Sequence, residues 1–359
     1  MRITCVIGNL GGGGAERMMT YLCAGLAARG HHVTLLTLDT SIPDFYTLPS
    51  SVHRERIHLP PFKSVGILGG FLRLWQMTRA LYRTKPEAVI SFMTVNVLAS
   101  CFLLRIPYIY ADHLDVRQVP FSRKWQILRN FLLRFASTVT VLSERDLHFL
   151  QGHHPRWHAQ VVYNPALVPP PQEYVRPAFM QAGKKYVIAV GRLVEQKGFD
   201  RLLRIWQKTR CEDWRLAIIG GGKDEQALKA QAAQLGIADS VDFVPPQKEV
   251  FSAYAHAQIF AMTSRAEGFP LVLLEAMALG VPAVSFNCTG PDVIIRHGMD
   301  GLLVPQDDEE TFARALSSLM EDEVKRQALG ARAREVTTRF SLSDYIDAYE
   351  QLCQKAVSR

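Results

Sequence analysis

The fold is decided by the opening stretch Ile3-Thr-Cys-Val-Ile7, Gly8-Asn-Leu-Gly-Gly-Gly-Gly14 and the residues that follow it. The first five residues predict a short buried strand, and the glycines predict a loop. A helix is expected from about Ala15 to Ala28, closed by Gly30, and a second strand at His32–Asp39. Strand, glycine loop, helix and strand in this order are typical of the start of a doubly wound sheet, so the sequence predicts an α/β fold.

The same pattern occurs on both sides of residues 169–177. This segment is rich in proline, which interrupts regular helices and strands, so we predict that it is the linker. Apolar runs before it predict strands at Ala88–Phe92, Tyr108–Ala111 and Thr138–Leu142. Those after it predict strands at Tyr186–Val190, Arg215–Ile219, Val241–Val244, Ala257–Met262 and Pro282–Phe286. We therefore predict two Rossmann-like domains facing a cleft, at residues 1–168 and 178–342, with a final helix at 343–356 that could pack on either one.

The charge of the chain is unevenly distributed. The 359 residues carry a formal charge of +7, but residues 1–180 hold 19 Lys+Arg against 10 Asp+Glu. The basic half indicates an anionic partner, such as a membrane surface, a phosphorylated substrate or nucleic acid. Nucleic acid is disfavoured because the sequence has no Lys/Arg-rich tail, RNP-type motif or zinc-finger spacing.

Two amphipathic segments of the basic half favour a membrane surface. In the first, arginines are interleaved with apolar residues at helical spacing: Leu68, Phe71, Leu72, Trp75, Leu81 and Tyr82. In the second, one face is predicted to hold Phe121, Trp125, Leu128, Leu132 and Phe135, with Arg123, Lys124, Arg129 and Arg134 off it. Helices that pack on a sheet have similar stripes, so this interpretation has a structural alternative.

The sequence also bears on location and metal binding. No apolar run reaches the ~18–20 residues of a membrane span, and the first residues lack the core of a signal peptide. We therefore expect a cytoplasmic protein, peripheral on the inner face of the membrane. The six cysteines have no C-x-x-C spacing and are expected to be reduced core residues. We predict no metal site, because no D-x-D lies in a plausible loop.

The strongest local pattern is Glu267-Gly-Phe-Pro-Leu-Val-Leu-Leu-Glu275. Pro270 fits the first position of a helix, so the amides around residues 268–271 point into the preceding turn and favour an anion there. Glu267 then lies in the loop and Glu275 inside the helix. This spacing can hold an extended ligand, because the two carboxylates accept hydrogen bonds from hydroxyls at both ends.

A second pattern, Gly191-Arg-Leu-Val-Glu-Gln-Lys-Gly198, follows the first predicted strand of the second half. Arg192 and Lys197 therefore lie at the carboxyl end of a parallel strand, where α/β sheets bind ligands. Two cations there suit a diphosphate leaving group, whose charge grows as the bond to it breaks.

Taken together, these residues resemble the retaining glycosyltransferases of family 4, which have the GT-B fold. The resemblance covers nearly the whole chain, through Gly13-Gly-Ala-Glu-Arg17, Val190-Gly-Arg192, Lys197-Gly-Phe199, the two glutamates Glu267 and Glu275, and Gly298-Met-Asp-Gly-Leu-Leu-Val304. It implies a nucleotide-sugar donor held mainly by the C-terminal domain, and no further cofactor.

The resemblance also implies roles for residues of the second half. Arg192 and Lys197 would neutralise the diphosphate, Glu275 would bind the ribose, and Glu267 would hold a hydroxyl of the donor sugar. Donor contacts would also come from Gly191, Val244, Gly268, Phe269, Pro270 and Leu271.

In the first half the resemblance points to four residues. His113 would reach the donor sugar, and Gly14 would approach the diphosphate from the N-terminal side. Glu16 and Arg17 would lie near the acceptor. The implied reaction is metal independent and retains the anomeric configuration, by attack on the face that the nucleotide leaves.

The nucleobase is less well specified. Pro245 and Pro246 follow the strand that would meet the base, and neither has an N–H to offer it. The pocket would then use carbonyls, Val244 or Lys248, and UDP is favoured over GDP.

The hypothesis is a transferase that moves a hexose or N-acetylhexosamine to a lipid-linked glycan, with a polyprenyl diphosphate acceptor and an anionic membrane surface as partners. The same architecture also serves nucleotide-sugar epimerases and phosphorylases. An NAD-dependent oxidoreductase is a distant alternative, because the glycine spacing is poor for G-x-G-x-x-G. A non-catalytic membrane scaffold is disfavoured by the intact charged residues.

Overall fold

The computed structural model describes residues 1–38, 41–58, 66–112, 123–167, 173–209, 211–247 and 250–358. The chain divides into two compact units. Unit 1 comprises Met1–Asn164 together with Ser343–Arg359, and unit 2 comprises Pro165–Leu342.

Unit 1 is built on a parallel sheet. Its strands are β1 (Arg2–Ile7), β2 (His32–Thr37), β3 (His53–Arg56), β4 (Ala88–Phe92), β5 (Tyr108–Ala111), β6 (Thr138–Val141) and β7 (Ala159–Val161). Its helices include α1 (Gly14–Ala28), α2 (Gly66–Thr84), α3 (Val95–Leu104), α4 (Arg123–Leu132) and α5 (Glu144–His153). Within the described part of the unit, the strand order is β3-β2-β1-β4-β5-β6-β7.

Unit 2 repeats this design. Its strands are β8 (Lys185–Val190), β9 (Trp214–Ile219), β10 (Val241–Val244), β11 (Ile259–Met262), β12 (Ala283–Phe286) and β13 (Gly301–Val304). Its helices are α6 (Phe199–Thr209), α7 (Glu225–Gln234), α8 (Phe251–His256), α9 (Leu271–Ala278), α10 (Pro291–Ile294), α11 (Glu309–Glu321), α12 (Glu323–Ala333) and α13 (Val336–Arg339). The described strands follow the order β10-β9-β8-β11-β12-β13, all parallel.

The prediction of two Rossmann-like α/β units is confirmed. In each sheet the strand order reverses once, between β1 and β4 in unit 1 and between β8 and β11 in unit 2. Open α/β sheets bind ligands in the crevice beyond the carboxyl ends of the strands at such a switch point. Each unit therefore has one position at which its topology favours a ligand.

A last helix, α14 (Leu342–Val357), follows unit 2 in sequence but packs in unit 1. The Tyr349 hydroxyl lies 3.2 Å from Thr140 Oγ1 of β6, and Arg29 beyond α1 donates to Glu350 at 2.6 Å. Gly25 of α1 leaves room for Ile346, because a Cβ there would overlap the Ile346 side chain.

The structure corrects the predicted faces of the two amphipathic segments. In α2 Leu81 is fully buried, whereas Phe71, Trp75 and Tyr82 are exposed. In α4 the residue predicted on the polar side, Arg129, is only 5% exposed. Its guanidinium donates to Asp112 Oδ2 at 2.5 Å and to the Tyr110 hydroxyl at 3.3 Å. The prediction that Arg129 lies on the polar side of the helix was wrong, because its guanidinium pairs with the buried Asp112 carboxylate just after β5.

The apolar face of the α4 segment also differs from the prediction. Leu132 is buried in the core, and the exposed apolar residues are Ile127, Leu128, Phe131 and Phe135. In the described part of the chain, no helix is both long and apolar enough to cross a membrane. Five cysteines are buried and all six are free, but Cys211 is exposed, so the prediction of a core position was wrong for it.

Candidate active site

The central feature of unit 2 is an ion pair across its switch point. Lys197 follows β8 and Glu267 follows β11, and Lys197 Nζ donates to Glu267 Oε1 at 2.6 Å. The Ser264 hydroxyl donates to the same oxygen, also at 2.6 Å. Glu267 is only 7% exposed. Among the described residues Glu267 Oε2 accepts no hydrogen bond, so this oxygen can receive one from a ligand hydroxyl.

Glycines hold the Lys197 loop against neighbouring strands. Gly198 has φ +65°, and a Cβ there would overlap the carbonyl oxygen of Thr263. Gly220 has φ +155°, and its Cβ would overlap the carbonyl oxygen of Gly191. Only glycine fits both contacts. The aliphatic part of the Lys197 side chain packs on Gly191: its Cγ and Cδ both lie 3.5 Å from where a Cβ on Gly191 would stand.

Arg192 is the second cation of this loop. Its side chain is exposed, and it pairs with no carboxylate in the described parts of the chain. It therefore differs from Lys197, whose charge is already partly matched by Glu267. The loop thus offers one fixed and one uncommitted positive charge to an anion.

Helix α9 begins four residues after Glu267, the acidic partner of this ion pair. The helix begins at Leu271, so Pro270 is the residue before it and not its first residue as predicted, and no side chain caps the helix. The loop after β12 packs on this end: a Cβ on Gly290 would lie 2.8 Å from the Gly268 carbonyl oxygen and 2.8 Å from Pro270 Cδ. The uncapped amides of a helix start are donors for an anion.

Three other residues of unit 2 were predicted to contact the sugar donor, and the structure places each of them in a regular element or its packing. Glu275 is the fifth residue of α9 and is 5% exposed. Phe269 is 6% exposed and packs edge-on against Phe340, with ring centroids 5.4 Å apart. Val244 ends β10, and its carbonyl oxygen accepts from the Gly220 amide at 2.9 Å. Lys248 lies outside the described residues.

Cys288 is a residue of this region to which the sequence assigned no role. Burial, and after it the negative charge of Glu267, raise the pKa of the Cys288 thiol to about 12. The Cys288 thiol is therefore neutral near pH 7 and lies close enough to Glu267 for that carboxylate to affect its pKa. Ser264 was noted in the sequence, but its hydrogen bond to Glu267 was not foreseen, since that bond depends on the loop conformation.

In unit 1 the predicted residues lie at the start of α1. Gly14 is its first residue, and Gly13 precedes it as N-cap. The Glu16 carboxylate folds back onto Gly13, because a Cβ there would overlap Glu16 Oε2. This is the position of the glutamate in a capping box. Arg17 also lies in the first turn of α1, and His113 falls outside the described residues.

The described residues contain no group of three or more His, Cys, Asp or Glu side chains placed to hold a metal ion. The candidate ligand groups described above for unit 2 are cations, carboxylates and backbone amides. These groups suit a molecule that combines a diphosphate with hydroxyls.

Comparison with known proteins gives the class of the chain. Residues 12–166 match the model for "Glycosyltransferase Family 4" and residues 172–336 match "Glycosyl transferases group 1". The chain is therefore a glycosyltransferase that uses a nucleotide sugar.

Relatives define the family more closely. The chain is 30% identical over 323 residues to the amylovoran biosynthesis glycosyltransferase AmsD of Erwinia amylovora, covering 88% of each chain. It is 27% identical over 352 residues to an α-1,4-N-acetyl-D-galactosaminyltransferase of Campylobacter jejuni that acts on an undecaprenol-PP-linked glycan, covering 96% of this chain and 95% of that one. The chain belongs to glycosyltransferase family 4, and the NAD-dependent oxidoreductase alternative is set aside.

Solved structures agree on the fold. Sucrose-phosphate synthase from Thermosynechococcus elongatus superposes with a TM-score of 0.81 at 20% identity, covering 98% of both chains. HepE of Anabaena in complex with UDP superposes with a TM-score of 0.78 at 19% identity, covering 98% of this chain and 99% of that one. The GT-B fold predicted from the sequence is therefore confirmed.

Proposed function

We propose that the protein is a retaining transferase that moves a hexose or N-acetylhexosamine from a UDP-sugar to a lipid-linked glycan. The observation that carries the donor part is the Lys197–Glu267 pair at the switch point of unit 2, with Arg192 exposed beside it. Unit 2 binds the donor and unit 1 the acceptor, with residues 169–177 as the linker.

The roles of the donor residues follow from their contacts. Arg192 and Lys197 neutralise the diphosphate, and the amides at the start of α9 donate to phosphate or sugar. Glu267 Oε2 accepts a hydrogen bond from a sugar hydroxyl, since its Oε1 is already used by Lys197 and Ser264. Glu275 binds the ribose. Gly191, Gly268 and Val244 complete the donor pocket through their backbone.

The chemistry is a displacement in which the incoming and leaving groups share one face of the sugar. The acceptor hydroxyl forms the new bond to the anomeric carbon as the bond to the diphosphate breaks. The acceptor proton passes to the departing phosphate oxygen. Lys197 and Arg192 stabilise the negative charge on that diphosphate, which is greatest in the transition state. His113 and Gly14 are proposed to contact the donor from unit 1, and Glu16 and Arg17 the acceptor.

The donor proposal is tested by titrating the purified protein with UDP, GDP, ADP and NAD, without added metal. We expect micromolar UDP affinity, reduced about 10²-fold by Lys197→Ala, because that change removes a charged contact and leaves the Glu267 carboxylate without its cation. Lys208→Ala is the matched control, because Lys208 is an exposed lysine of unit 2 paired with Glu310. Binding of NAD alone, or of no nucleotide, would contradict the proposal.

The membrane part rests on one surface of unit 1. Its helices α2, α3 and α4, with the turn at residues 133–135, contain six Lys+Arg besides the buried Arg129, and no Asp or Glu. They also expose apolar side chains: Phe71, Trp75, Tyr82, Phe102, Leu103, Ile127, Phe131 and Phe135. We call these eight residues the outer face. Basic helices with exposed aromatic residues suit an anionic bilayer, which attracts the charges and accepts the apolar side chains.

The helices that carry the outer face pack side by side. Thr78 of α2 donates to Ser100 of α3 at 3.1 Å. Phe102 of α3 lies 4.7 Å from Phe135 and 6.5 Å from Phe131, measured between ring centroids. This surface carries the proposal of a peripheral enzyme on the inner face of the membrane, acting on a polyprenyl-diphosphate-linked glycan.

Flotation with vesicles tests the membrane part. We expect binding to vesicles containing phosphatidylglycerol and little binding to pure phosphatidylcholine, with loss at high salt because exposed charges are screened. Phe131→Ser should weaken flotation, because it removes an exposed ring from the outer face. Equal binding to both vesicle types at every salt concentration would contradict an electrostatic contact.

A further inference from the structure

A short segment of unit 1, residues 41–46, covers one side of the glycine loop after β1. The Phe45 and Tyr46 amides both donate to the Leu10 carbonyl oxygen, at 2.8 and 3.4 Å. Two apolar side chains of this segment remain in solvent: Ile42 is 43% exposed and Phe45 is 44% exposed. The sequence alone predicts no role for these two side chains.

These side chains lie where the topology of unit 1 favours a ligand. The glycine loop follows β1, at the switch point between β1 and β4. A Cβ on Gly11 would lie 3.1 Å from Ile42 Cγ2, and one on Gly12 would lie 3.7 Å from the Phe45 ring. Backbone without side chains thus forms a floor, and Ile42 and Phe45 form an apolar wall along it.

The wall is fixed by an ion-pair cluster. Asp44 accepts from Arg54 at 2.5 and 2.8 Å and from Arg56 at 2.7 Å. The hydrogen bond from Arg54 lowers the pKa of Asp44. Phe45 also meets Tyr46 edge to face, with centroids 5.0 Å apart. A platform that is rigid before binding loses little conformational entropy when a ligand arrives.

We propose that Ile42 and Phe45 form an acceptor subsite, in which a sugar ring of the acceptor glycan packs its C–H face on the Phe45 ring. This inference rests on the proposed transferase function and names the substrate group that unit 1 holds. A pyranose has an apolar C–H face and a rim of hydroxyls. The wall meets the C–H face, and the Glu16 carboxylate, folded onto Gly13 of the same loop, is the nearby acceptor for a hydroxyl.

The chemistry of the surrounding side chains favours a sugar over a phosphate at this point. The two arginines nearest the wall in the sequence, Arg54 and Arg56, both pair with Asp44. Both guanidinium groups donate to this one carboxylate and are held by it, and the side chains that face solvent from the segment, Ile42 and Phe45, are apolar.

The test measures sugar binding without turnover. Saturation-transfer NMR is recorded on the full chain with a panel of methyl hexosides and methyl N-acetylhexosaminides, which lack an alkyl chain, and separately with 1-octanol. Loss of one aromatic contact corresponds to up to about tenfold in affinity. We expect Phe45→Leu to raise the dissociation constant of a bound glycoside about tenfold and Phe45→Trp to keep it within about threefold.

Tyr21→Leu is the matched control, because it removes another exposed ring of unit 1 and should leave glycoside binding unchanged. An equal dissociation constant for wild type and Phe45→Leu would overturn the subsite, as would the absence of glycoside saturation in the wild type. Saturation by 1-octanol alone would instead make the wall an alkyl-binding surface and also overturn it.

The proposed function fails by a different readout. UDP affinity is carried mainly by unit 2 and should be the same in wild type, Phe45→Leu and Tyr21→Leu, and the urea denaturation midpoint reports whether unit 1 is folded in both variants. If the wild type binds glycosides but not UDP, the donor proposal fails while the subsite stands.

Discussion

The two switch points of the molecule share a topology and differ in chemistry. In unit 2 the crevice between β8 and β11 holds a lysine, a buried carboxylate and an exposed arginine. In unit 1 the crevice between β1 and β4 holds glycines and an apolar wall. The buried ion pair Arg129–Asp112 of unit 1 lies instead beyond β5. Strand order therefore sets where a ligand binds, and the loop residues decide which ligand it is.

Backbone conformation differs between the two crevices as well. Met93, directly after β4, has φ +54°, which is unusual for a residue with a side chain. In unit 2 the positive φ angle at the crevice belongs to Gly198, for which it carries little strain. Unit 1 thus stores strain in a methionine where unit 2 uses glycine.

The largest expected effect comes from Arg129→Ala, which leaves Asp112 buried without its cation. Breaking a buried pair on one side costs about 3–5 kcal/mol. Urea denaturation should show this loss, while UDP affinity of the folded fraction stays unchanged because the pair belongs to unit 1. Arg134→Ala, at an exposed arginine of the same segment, should change stability by less than about 0.5 kcal/mol. A loss below about 1 kcal/mol for Arg129→Ala would contradict the buried pair.

Gly198→Ala tests how unit 2 holds its lysine. Gly198 and Gly236 both have φ +65°, but only at Gly198 would a Cβ meet backbone. Gly236→Ala should cost about 1 kcal/mol from the left-handed conformation alone. Gly198→Ala should cost about 2–4 kcal/mol, because overpacking is added, and should weaken UDP binding. Equal losses in the two variants, measured by denaturation, would show that the Thr263 contact is unimportant.

The two glutamates should separate transfer from nucleotide binding. Glu267→Ala should reduce transfer about 10²-fold, because it removes a hydrogen bond to the reacting sugar, with UDP affinity changed by less than about threefold. Glu275→Ala should lower UDP affinity, because the ribose loses its acceptor. Calorimetry with UDP and a transfer assay on the same preparations check both. Unchanged UDP binding in Glu275→Ala would refute the ribose contact.

The smallest effect concerns thiol reactivity. Only the thiolate is alkylated, and the pKa of Cys288 is raised to about 12, so little thiolate exists there at pH 8. Iodoacetamide should therefore label the exposed Cys211 in the folded protein and leave Cys288 unmodified, as read by peptide mass spectrometry. Labelling of Cys288 should increase as the pH rises toward 12. Rapid labelling at pH 7 would place Cys288 in a different environment.

Much of the fold was predictable because buried parallel strands are short apolar runs. The predicted Ala88–Phe92 and Tyr108–Ala111 are the observed β4 and β5. Three strands were missed, β3, β7 and β13, and all three lie at the edges of their sheets. The β3 sequence, His-Arg-Glu-Arg, carries no apolar signal because an edge strand faces solvent.

The residues of the site were predictable from the sequence, but the contacts between them were not. Glycine and charge patterns located Lys197 and Glu267, but their pairing across 70 positions depends on which strands are neighbours. The wall formed by Ile42 and Phe45 was not predicted, since a six-residue loop has no periodicity. The position of Arg129 was predicted wrongly because its partner, Asp112, lies 17 positions away and outside the helix of Arg129.

The path of α14 has a consequence for how the protein is made. Unit 1 needs residues 343–357, and these leave the ribosome only after all of unit 2 has been synthesised. Until then the surface that buries Tyr345, Tyr349 and Cys353 has no helix to cover it. The second unit in the sequence can therefore finish folding first, and the nascent chain carries an unfinished N-terminal unit whose open apolar groove calls for chaperone protection.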